Sequence, residues 1–296
     1  MADQSDDIGR LKNEQKRDWD AAAAGWKKWW AVLERGAQPV SDRLVELAGV
    51  GAGARVLDVA TGSGEPAVTS ARRVAPGGRV VAVDQSPGML AIARERANAI
   101  RISNVEFRES DGEALTLTEH DFDAVLCRWG LMFMPDVDRA LDGFHQRLVS
   151  GGRIAVAVWS TPDKVPMISI GADIVRKLVN LPPPAPGALD PLRLGDTSIL
   201  SKALEQSGFR DVKIERMPVT FEFNSAEDFT QMREEVSSAF RGLLARQSPE
   251  LRRQIIEAVT DAARKFTQSD GKVRTTNETI LFAAHTQWPS CRPAVG

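Results

Sequence analysis

The fold is decided by residues 56–67, Val-Leu-Asp-Val-Ala-Thr-Gly-Ser-Gly-Glu-Pro-Ala. The first half is a short apolar run typical of a buried strand, and the second half is a glycine-rich turn that leads into a helical pattern. Glycine lets the backbone come close to a ligand, and a helix N-terminus offers unpaired N–H groups. Gly62, Gly64 and Ala67 match the G-x-G-x-x-G/A spacing of nucleotide-binding turns. The stretch therefore predicts a nucleotide site, and a plain tight turn is the simpler alternative.

Further apolar runs of strand length alternate with helical patterns along the chain. This rhythm predicts an α/β fold with a mostly parallel sheet, and the nearly continuous runs indicate strands covered on both faces. The predicted strands are 55–60, 79–83, 105–108, 122–127, 154–159, 212–215 and 279–284. The predicted helices are 66–74, 87–99, 137–148, 164–179, 198–207, 225–237 and 249–266.

Four regions follow from these patterns. Residues 1–40 read as a helical N-terminal lid, 41–160 as the α/β core that would bind a cofactor, 161–285 as the rest of the sheet with helical insertions, and 286–296 as a loose tail. A separate helix over 41–47 is expected to begin with Ser41 as its N-cap. The stretch 182–187 is rich in proline and reads as a stiff, irregular connection.

Composition excludes several classes of function. The 296 residues include 38 Lys and Arg against 40 Asp and Glu, so the chain is not a strongly basic nucleic-acid binder. The two cysteines (Cys127, Cys291) and three histidines (His120, His145, His285) lack the spacing of a metal site, so no metal is expected. No tyrosine occurs, which excludes a phenolic acid or base. The polar N-terminus does not read as a signal peptide and no apolar run is long enough to span a membrane, so we expect a cytoplasmic protein.

Two acidic positions strengthen the nucleotide hypothesis. Asp84 ends the second predicted strand, 22 residues after Gly62, where a carboxylate can accept both hydroxyl protons of a ribose. The simpler role for Asp84 is the N-cap of the next helix. After the third strand, Asp111 could accept from the amino group of an adenine, and Gly112 would let the backbone approach the ring. A turn with a solvated charge is the alternative there.

These motifs together resemble a class I methyltransferase that depends on S-adenosylmethionine. Within that superfamily the chain is similar to the ubiquinone/menaquinone C-methyltransferase group and its small-molecule relatives. The resemblance covers roughly residues 40 to 160, in separate motifs with the right order and spacing. The matching stretches are Val56–Gly64, Val81–Leu90, Asn104–Leu115, Phe122–Met134 and Gly151–Trp159. The resemblance implies a Rossmann-like seven-stranded sheet of order 3-2-1-4-5-7-6, with the last strand antiparallel.

The resemblance also implies roles for particular residues. Asp58, Thr61 and the backbone of Ala60, Gly62 and Gly64 would hold the amino-acid end of S-adenosylmethionine, which leaves as S-adenosylhomocysteine. Asp84 would take the ribose hydroxyls, Gln85 and Met89 would flank the adenine, and Asp111 and Gly112 would contact its edge. Arg128 would lie near the cofactor's carboxylate or the methyl donor.

A dinucleotide oxidoreductase using NAD is the minor alternative, since the glycine spacing permits it. A short-chain dehydrogenase would need a Tyr-x-x-x-Lys pair, and this chain has no tyrosine. Asp58, polar within an apolar strand, also fits the methyl-transfer family better than a dinucleotide fold. The other alternative is a non-catalytic or repurposed cofactor-binding protein, serving a cyclisation or regulation.

Methyl transfer from a sulfonium is an in-line displacement, helped mainly by alignment and exclusion of water. A base is needed only where the acceptor must lose a proton, and the sequence offers only weak catalytic candidates, His145 and Arg128. Glu65 and Asp136 are conceivable, although helix capping is the simpler role of each. We therefore expect a proximity mechanism of C-, O- or N-methylation.

The acceptor pocket is expected at the carboxyl ends of the strands. Its candidate walls, which packing in the core would explain equally well, are Trp26, Trp29, Trp30, Trp129, Met132, Phe133 and Trp159. They favour a small, largely apolar or aromatic acceptor, with the tryptophan helix as lid; docking of that helix on a membrane surface is the rival interpretation.

About sixty residues, 218–277, separate the last two strands where a short hairpin is usual in the quinone-methylating group. We expect this insertion to form part of a cap or a homodimer contact, and to favour a dedicated secondary-metabolite or xenobiotic methyltransferase over quinone methylation.

Overall fold

The computed structural model describes residues 2–180 and 189–287, with side chains from residue 8 onward. Within these ranges seven strands form one sheet. The strands are β1 (Arg55–Val59), β2 (Arg79–Asp84), β3 (Val105–Glu109), β4 (Phe122–Arg128), β5 (Leu148–Trp159), β6 (Arg210–Phe223) and β7 (Val273–His285). The helices are α1 (Ala2–Leu47), α2 (Ala67–Val74), α3 (Pro87–Ala99), α4 (Val137–Arg147), α5 (Pro166–Leu178), α6 (Thr197–Gln206), α7 (Ala226–Val236), α8 (Ser238–Ala245) and α9 (Pro249–Arg264).

The strand order is β3-β2-β1-β4-β5-β7-β6, which confirms the predicted Rossmann-like sheet. The first five strands of the chain pair in parallel, and β7 is antiparallel to both of its neighbours. β6 therefore runs in the same direction as β5. The carboxyl ends of six strands meet at one edge of the sheet, which is where open α/β sheets bind ligands.

The N-terminal region differs from the prediction because it is one continuous helix. α1 runs through Pro39 to Leu47, so no separate helix begins at Ser41. Ser41 is fully buried, and its hydroxyl accepts a hydrogen bond from Arg128 Nη1 at 2.8 Å instead of capping a helix. Val40 and Leu44 are also fully buried. The packing of this end of α1 into the core outweighs the local break signals of proline and serine.

The last two strands are longer than the sequence predicted. β6 has 14 residues and β7 has 13, against predicted runs over 212–215 and 279–284. β6 lies at the sheet edge and is buried on only part of one face, so its sequence alternates polar and apolar residues instead of forming a continuous apolar run. Pro218 lies within it, which an edge strand tolerates.

The insertion between β6 and β7 is helical, as expected, and consists of α7, α8 and α9. The short helix α8 was not predicted. α7 and α8 pack against α1, and α9 packs against α5 and α7. The proline-rich stretch 182–187, the tail beyond residue 287 and Cys291 lie outside the described residues.

Candidate active site

One pocket opens along the carboxyl edge of the sheet. It extends from Asp111, just after β3, to Phe221 in β6, and α1, α7 and the start of α8 cover it. The predicted cofactor residues that line it are Ala60, Thr61, Gly62, Asp84, Gln85, Met89, Asp111, Gly112 and Arg128. The predicted acceptor residues that line it are Trp26, Trp30, Trp129, Phe133 and Trp159. The structure therefore brings most of the predicted site residues into one cavity.

Five predicted residues do not line this pocket. Asp58 is fully buried behind the glycine turn, and Gly64 faces Ala93 of α3. Trp29 packs in the core, with its Nε1 donating to Glu235 at 2.6 Å, because its position on α1 turns it towards α7. Met132 is fully buried in the short 3₁₀ turn after β4. His145 lies on α4, packed against Phe209 and away from the pocket.

The glycine turn joins β1 to α2 in a conformation that few residues adopt. Gly62 has φ +55° and Gly64 has φ +100°, and Ala60 also lies in the left-handed region at φ +57°. A Cβ on Gly62 would meet nothing closer than Met89 Cε at 3.5 Å, so the pocket side of this glycine is open. The N-cap residue of α2 is Pro66, which has no capping side chain, and Glu65 accepts from Thr69 N in the first turn. The turn thus presents backbone to the pocket, as a ligand cradle requires.

Asp84 connects the glycine turn to the end of β2. Its Oδ2 accepts from Gly62 N at 2.8 Å and its Oδ1 accepts from Ser86 N at 2.9 Å. The N-cap of α3 is Ser86, whose hydroxyl accepts from Met89 N, so the simpler role predicted for Asp84 is wrong. Burial raises the pKa of Asp84 to about 6, against the lowering effect of these backbone donors. A carboxylate has about four lone-pair sites, so Asp84 retains the capacity to accept further hydrogen bonds from the pocket.

Asp111 already has partners from its own turn and from α1. Its Oδ1 accepts from Glu113 N at 2.9 Å, and its Oδ2 accepts from Lys12 Nζ at 2.8 Å. Lys12 also contacts the buried carboxylate of Glu113. A Cβ on Gly112 would contact the terminal methyl of Met134, so glycine leaves room there for the methionine. Lys12 therefore attaches the first part of α1 to the residues that are predicted to lie near the adenine.

Arg128 is held by a buried ion pair. Its guanidinium donates to both carboxylate oxygens of Glu34, at 2.9 and 3.0 Å, and to Ser41. The pKa of Arg128 is raised by Glu34, although burial opposes the rise. A two-point pair of this kind fixes the orientation of the guanidinium. Arg128 thus lines the pocket as an ordered cation whose charge α1 neutralises.

Tryptophans form a wall on the other half of the pocket. Trp129 and Trp159 are stacked, with ring centroids 4.2 Å apart and planes 10° from parallel. Trp129 has φ +56° and donates from Nε1 to Thr279 Oγ1 at 2.9 Å. Phe221 lies edge-on to Trp159, at 6.4 Å between ring centroids. Because the tryptophan face of α1 also points inward, in this conformation it is not presented to a membrane surface.

No strong general base emerges at the tryptophan wall. Burial lowers the pKa of His145, which lies outside the pocket. Asp136 caps α4 by accepting from Arg139 N, as the simpler interpretation predicted. Glu65 lines the pocket but accepts from both the backbone and the hydroxyl of Thr69, and burial raises its pKa. Within the described ranges, no group of three or more His, Cys, Asp or Glu side chains is placed to hold a metal ion.

The sequence analysis missed several lining residues, many of them from helices that cover the pocket. Glu34 and Arg233 are charged residues that are nonetheless buried. Both lie on the apolar stripes of their helices: Arg233 shares the i, i+3, i+4, i+7 positions with Phe229, Met232 and Val236. A charge within such a stripe was the available signal. The other missed lining residues include Trp19, Phe221 and Met167.

Comparison with known proteins identifies the domain. A family model described as "Methyltransferase domain" matches residues 56–152. The chain is 42% identical over 122 residues to a demethylmenaquinone methyltransferase of Thermus thermophilus, which covers 41% of this chain and 54% of the relative. It is 38% identical over 119 residues to the ubiquinone/menaquinone biosynthesis C-methyltransferase UbiE of Pseudomonas putida, covering 40% and 46%. The chain thus spans about half the length of the curated relatives it matches.

A solved structure shares the fold over most of the chain. A putative methyltransferase from Bacillus halodurans aligns with a TM-score of 0.53 and 22% identity, covering 83% of this chain and 98% of that one. The fold is that of class I methyltransferases dependent on S-adenosylmethionine. Within that class the chain is similar to the ubiquinone/menaquinone C-methyltransferase group, as the motifs predicted. None of the helices in residues 2–180 and 189–287 is long and apolar enough to cross a membrane.

Proposed function

We propose that the chain transfers a methyl group from S-adenosylmethionine to a small, largely apolar or aromatic acceptor. The observation that carries the proposal is the single pocket that joins the Gly62–Asp84 corner to the stacked pair of Trp129 and Trp159. The first half offers groups suited to an adenosine, and the second offers an aromatic wall. The matching family model supports the same chemistry.

The residues of the first half fit the cofactor. The open side of Gly62 and the remaining lone pairs of Asp84 suit a close backbone approach and two ribose hydroxyls. Gln85 and Met89, which also line the pocket, would flank the base. Asp111 retains acceptor capacity beside Lys12 for an exocyclic amino group. Asp58 would act from behind the turn, since it does not reach the pocket.

The bound cofactor would supply a methyl group on a positively charged sulfur. The chain's own residues would align the acceptor against the tryptophan wall and exclude water beneath α1, α7 and α8. Alignment alone can lower a barrier by about 7–11 kcal/mol in favourable cases, so the lack of an evident base is compatible with catalysis. Helix α1 would act as the lid of the pocket, and α7 and α8 would act as its cap.

The acceptor is proposed to differ from the quinones of the curated relatives. The helices α7 and α8, which cover the acceptor half, lie outside the stretch matched by the family model. Acceptor specificity in this chain would therefore depend on residues outside the stretch that the family model matches. A secondary metabolite or a xenobiotic of aromatic character suits this wall.

The test is transfer of a labelled methyl group from S-adenosylmethionine to a panel of phenols, quinols, indoles and thiols. We expect turnover with at least one aromatic member, and loss of turnover in Asp84→Ala. Calorimetry on the same variant should show cofactor binding weaker by about 2–4 kcal/mol, because two charge-assisted hydrogen bonds are lost. Tight cofactor binding without any transfer would favour a non-catalytic role, and unchanged cofactor affinity in Asp84→Ala would contradict the ribose assignment.

A further inference from the structure

Arg233 is a buried cation with no counter-ion in the part of the chain that the structure describes. Its relative exposure is 9%, and it lines the pocket from α7. Its Nε has no hydrogen-bond partner. Burial lowers its pKa to about 10, and no carboxylate acts to raise it again. By contrast, Arg128 in the same pocket is fully paired with Glu34.

The stretches outside the described residues do not supply a carboxylate side chain. Residues 181–188 and 288–296 contain no aspartate or glutamate. The acidic residues among positions 1–7 precede Gly25, the point where α1 touches Glu235 of α7, by at least 18 positions. At 1.5 Å per helical residue they begin about 27 Å further along α1. Among the residues that the structure describes, the guanidinium therefore lines the pocket without a carboxylate partner.

An unpaired buried charge is costly, because desolvation is not repaid by a partner. Proteins retain such groups mainly where a ligand completes them. The lining residues closest to Arg233 along α7 are Met232 and Val236, which are apolar, and Ser237, where the helix ends. The pocket at this point thus combines an apolar lining with one cation.

Arg233 belongs to the acceptor half of the pocket. It lies on α7, which directly follows β6, and β6 is at the opposite edge of the sheet from β3. Met89, on the predicted adenine side, instead packs with Ala23 and Trp26 of α1. Helix α1 contacts both α3 and α7, so it lies between the two positions. An anion at Arg233 would therefore come from the acceptor.

We propose that the acceptor is an aromatic anion, and that Arg233 binds its carboxylate or equivalent acidic group while the tryptophan wall holds its ring. This inference rests on the proposed function, since it names the substrate class of the same pocket. A guanidinium is suited to the task because its planar donors match a carboxylate at two points. The contact fixes one end of the acceptor and leaves its other end to face the methyl donor.

The test compares 2-naphthoate with its neutral analogue 2-naphthamide by calorimetry, on the protein saturated with S-adenosylhomocysteine. We expect the wild-type protein to bind the carboxylate at least 10-fold more tightly than the amide. In Arg233→Met this preference should fall below 2-fold, and Arg233→Lys should retain part of it. Arg246→Met is the matched control, because Arg246 is exposed and does not line the pocket, and it should keep the full preference.

Stability provides a second readout that needs no ligand. Arg233→Met should have a higher thermal midpoint than the wild type, since an uncompensated buried charge is replaced by a side chain of similar length. A packing or structural role for Arg233 would give a lower midpoint. That result would overturn the inference even if the variant were too unstable for calorimetry.

Other outcomes also count against the inference. A wild-type protein without preference for the carboxylate, or a preference that persists in Arg233→Met, would refute it. If Arg233→Met weakens S-adenosylhomocysteine binding 10-fold or more, the anion at Arg233 is the cofactor's own carboxylate. Failure of the wild type to bind S-adenosylhomocysteine would instead refute the proposed function, and the two naphthalene probes would then be compared on the protein alone.

Discussion

Asp58 shows how much a single buried carboxylate affects this molecule. It lies in β1 with no exposed surface, next to the Thr61 hydroxyl and the Ala67 backbone, which favour its charged form. Burial raises its pKa to about 7, although Thr61 and Arg128 act in the opposite direction. An aspartate in an unfolded chain has a pKa of about 3.9. The folded protein therefore holds the proton of Asp58 over a pH range in which the unfolded chain has released it.

The expected consequence is a pH-dependent penalty on folding. Because the folded pKa lies above the unfolded one, the contribution of Asp58 to stability falls as pH rises from about 4 to about 7, and stays low above that. Asp58→Asn removes this titration. The free energy of unfolding of the variant, relative to wild type, should rise by about 3 kcal/mol between pH 5 and pH 8. Denaturant unfolding of both proteins at pH 5, 6, 7 and 8 measures it, and a constant difference would show that Asp58 is ionised in the fold throughout.

The same residue marks a limit of the sequence analysis. The pattern of residues 56–67 correctly predicted a strand, a glycine turn and a helix. It also placed Asp58 and Gly64 among the cofactor residues, and neither lines the pocket. A motif records which residue types recur at a turn, but the direction of a carboxylate one residue before the end of the strand is set by the pleat. The sequence does not distinguish a carboxylate that contacts the cofactor from one that supports the glycine turn from its buried side.

At the scale of elements, α1 combines a buried end with an end fastened by polar contacts. Its last turns are core, with Val40 and Leu44 fully buried. Its earlier turns are attached by Lys12 to Asp111 and Glu113 and by Asp20, which accepts from Ser86 Oγ and Gly88 N. Polar contacts of partly exposed groups are weak compared with core packing. This division suits a lid whose first half opens while its second half remains in the core.

Removing one of these contacts should loosen that half selectively. In Lys12→Ala we expect hydrogen exchange in residues 8–23 to become about fivefold faster, because a partly exposed pair is worth about 1 kcal/mol or less. Exchange in the strands should not change. Lys27→Ala is the matched control on the same helix, since Lys27 pairs with Glu95 and both are more than half exposed. Equal exchange in both variants would show that Lys12 does not secure the lid.

The extent of α1 and of the edge strands could not be predicted from local patterns. Pro39 and Ser41 are signals that normally end or begin a helix, and here the surrounding core overrides them. β6 and β7 continue well beyond their apolar runs because they pair with each other over 12 positions. Backbone pairing between segments that are distant in the chain produces no clear pattern in the sequence of either segment. The strands β1, β2 and β4 and the second half of β5 were predictable because burial on both faces produces a nearly continuous apolar run.

At the scale of the whole molecule, the pocket follows the order of the strands. The proposed cofactor half lies over β3, β2 and β1, and the proposed acceptor half over β4, β5 and β6. The strand order that the resemblance implied is confirmed, and most of the predicted site residues line the pocket, although many of its lining residues were not predicted. The insertion before β7 was expected to form part of a cap or a homodimer contact, and α7 and α8 do cover the pocket, but the sequence did not show the surface on which they pack. Charged residues on apolar stripes, such as Glu34 and Arg233, point to that surface once the fold is known.

Because the proposed cofactor and acceptor halves of the pocket lie at different places along the sheet edge, a substitution in one half should leave binding in the other half unchanged. Trp159→Phe keeps an aromatic ring but reduces the stack with Trp129, so kcat/KM for an aromatic acceptor should fall about two- to tenfold, the equivalent of an aromatic pair worth about 0.5–1.5 kcal/mol. Its affinity for S-adenosylhomocysteine should match the wild type. Asp84→Asn should reduce that affinity while the acceptor's KM, measured at saturating cofactor, stays close to wild type. Calorimetry and steady-state kinetics on both variants measure the four quantities. If Trp159→Phe weakened the cofactor as much as the acceptor, the pocket would act as one coupled site, and the assignment of its halves to separate ligands would be wrong.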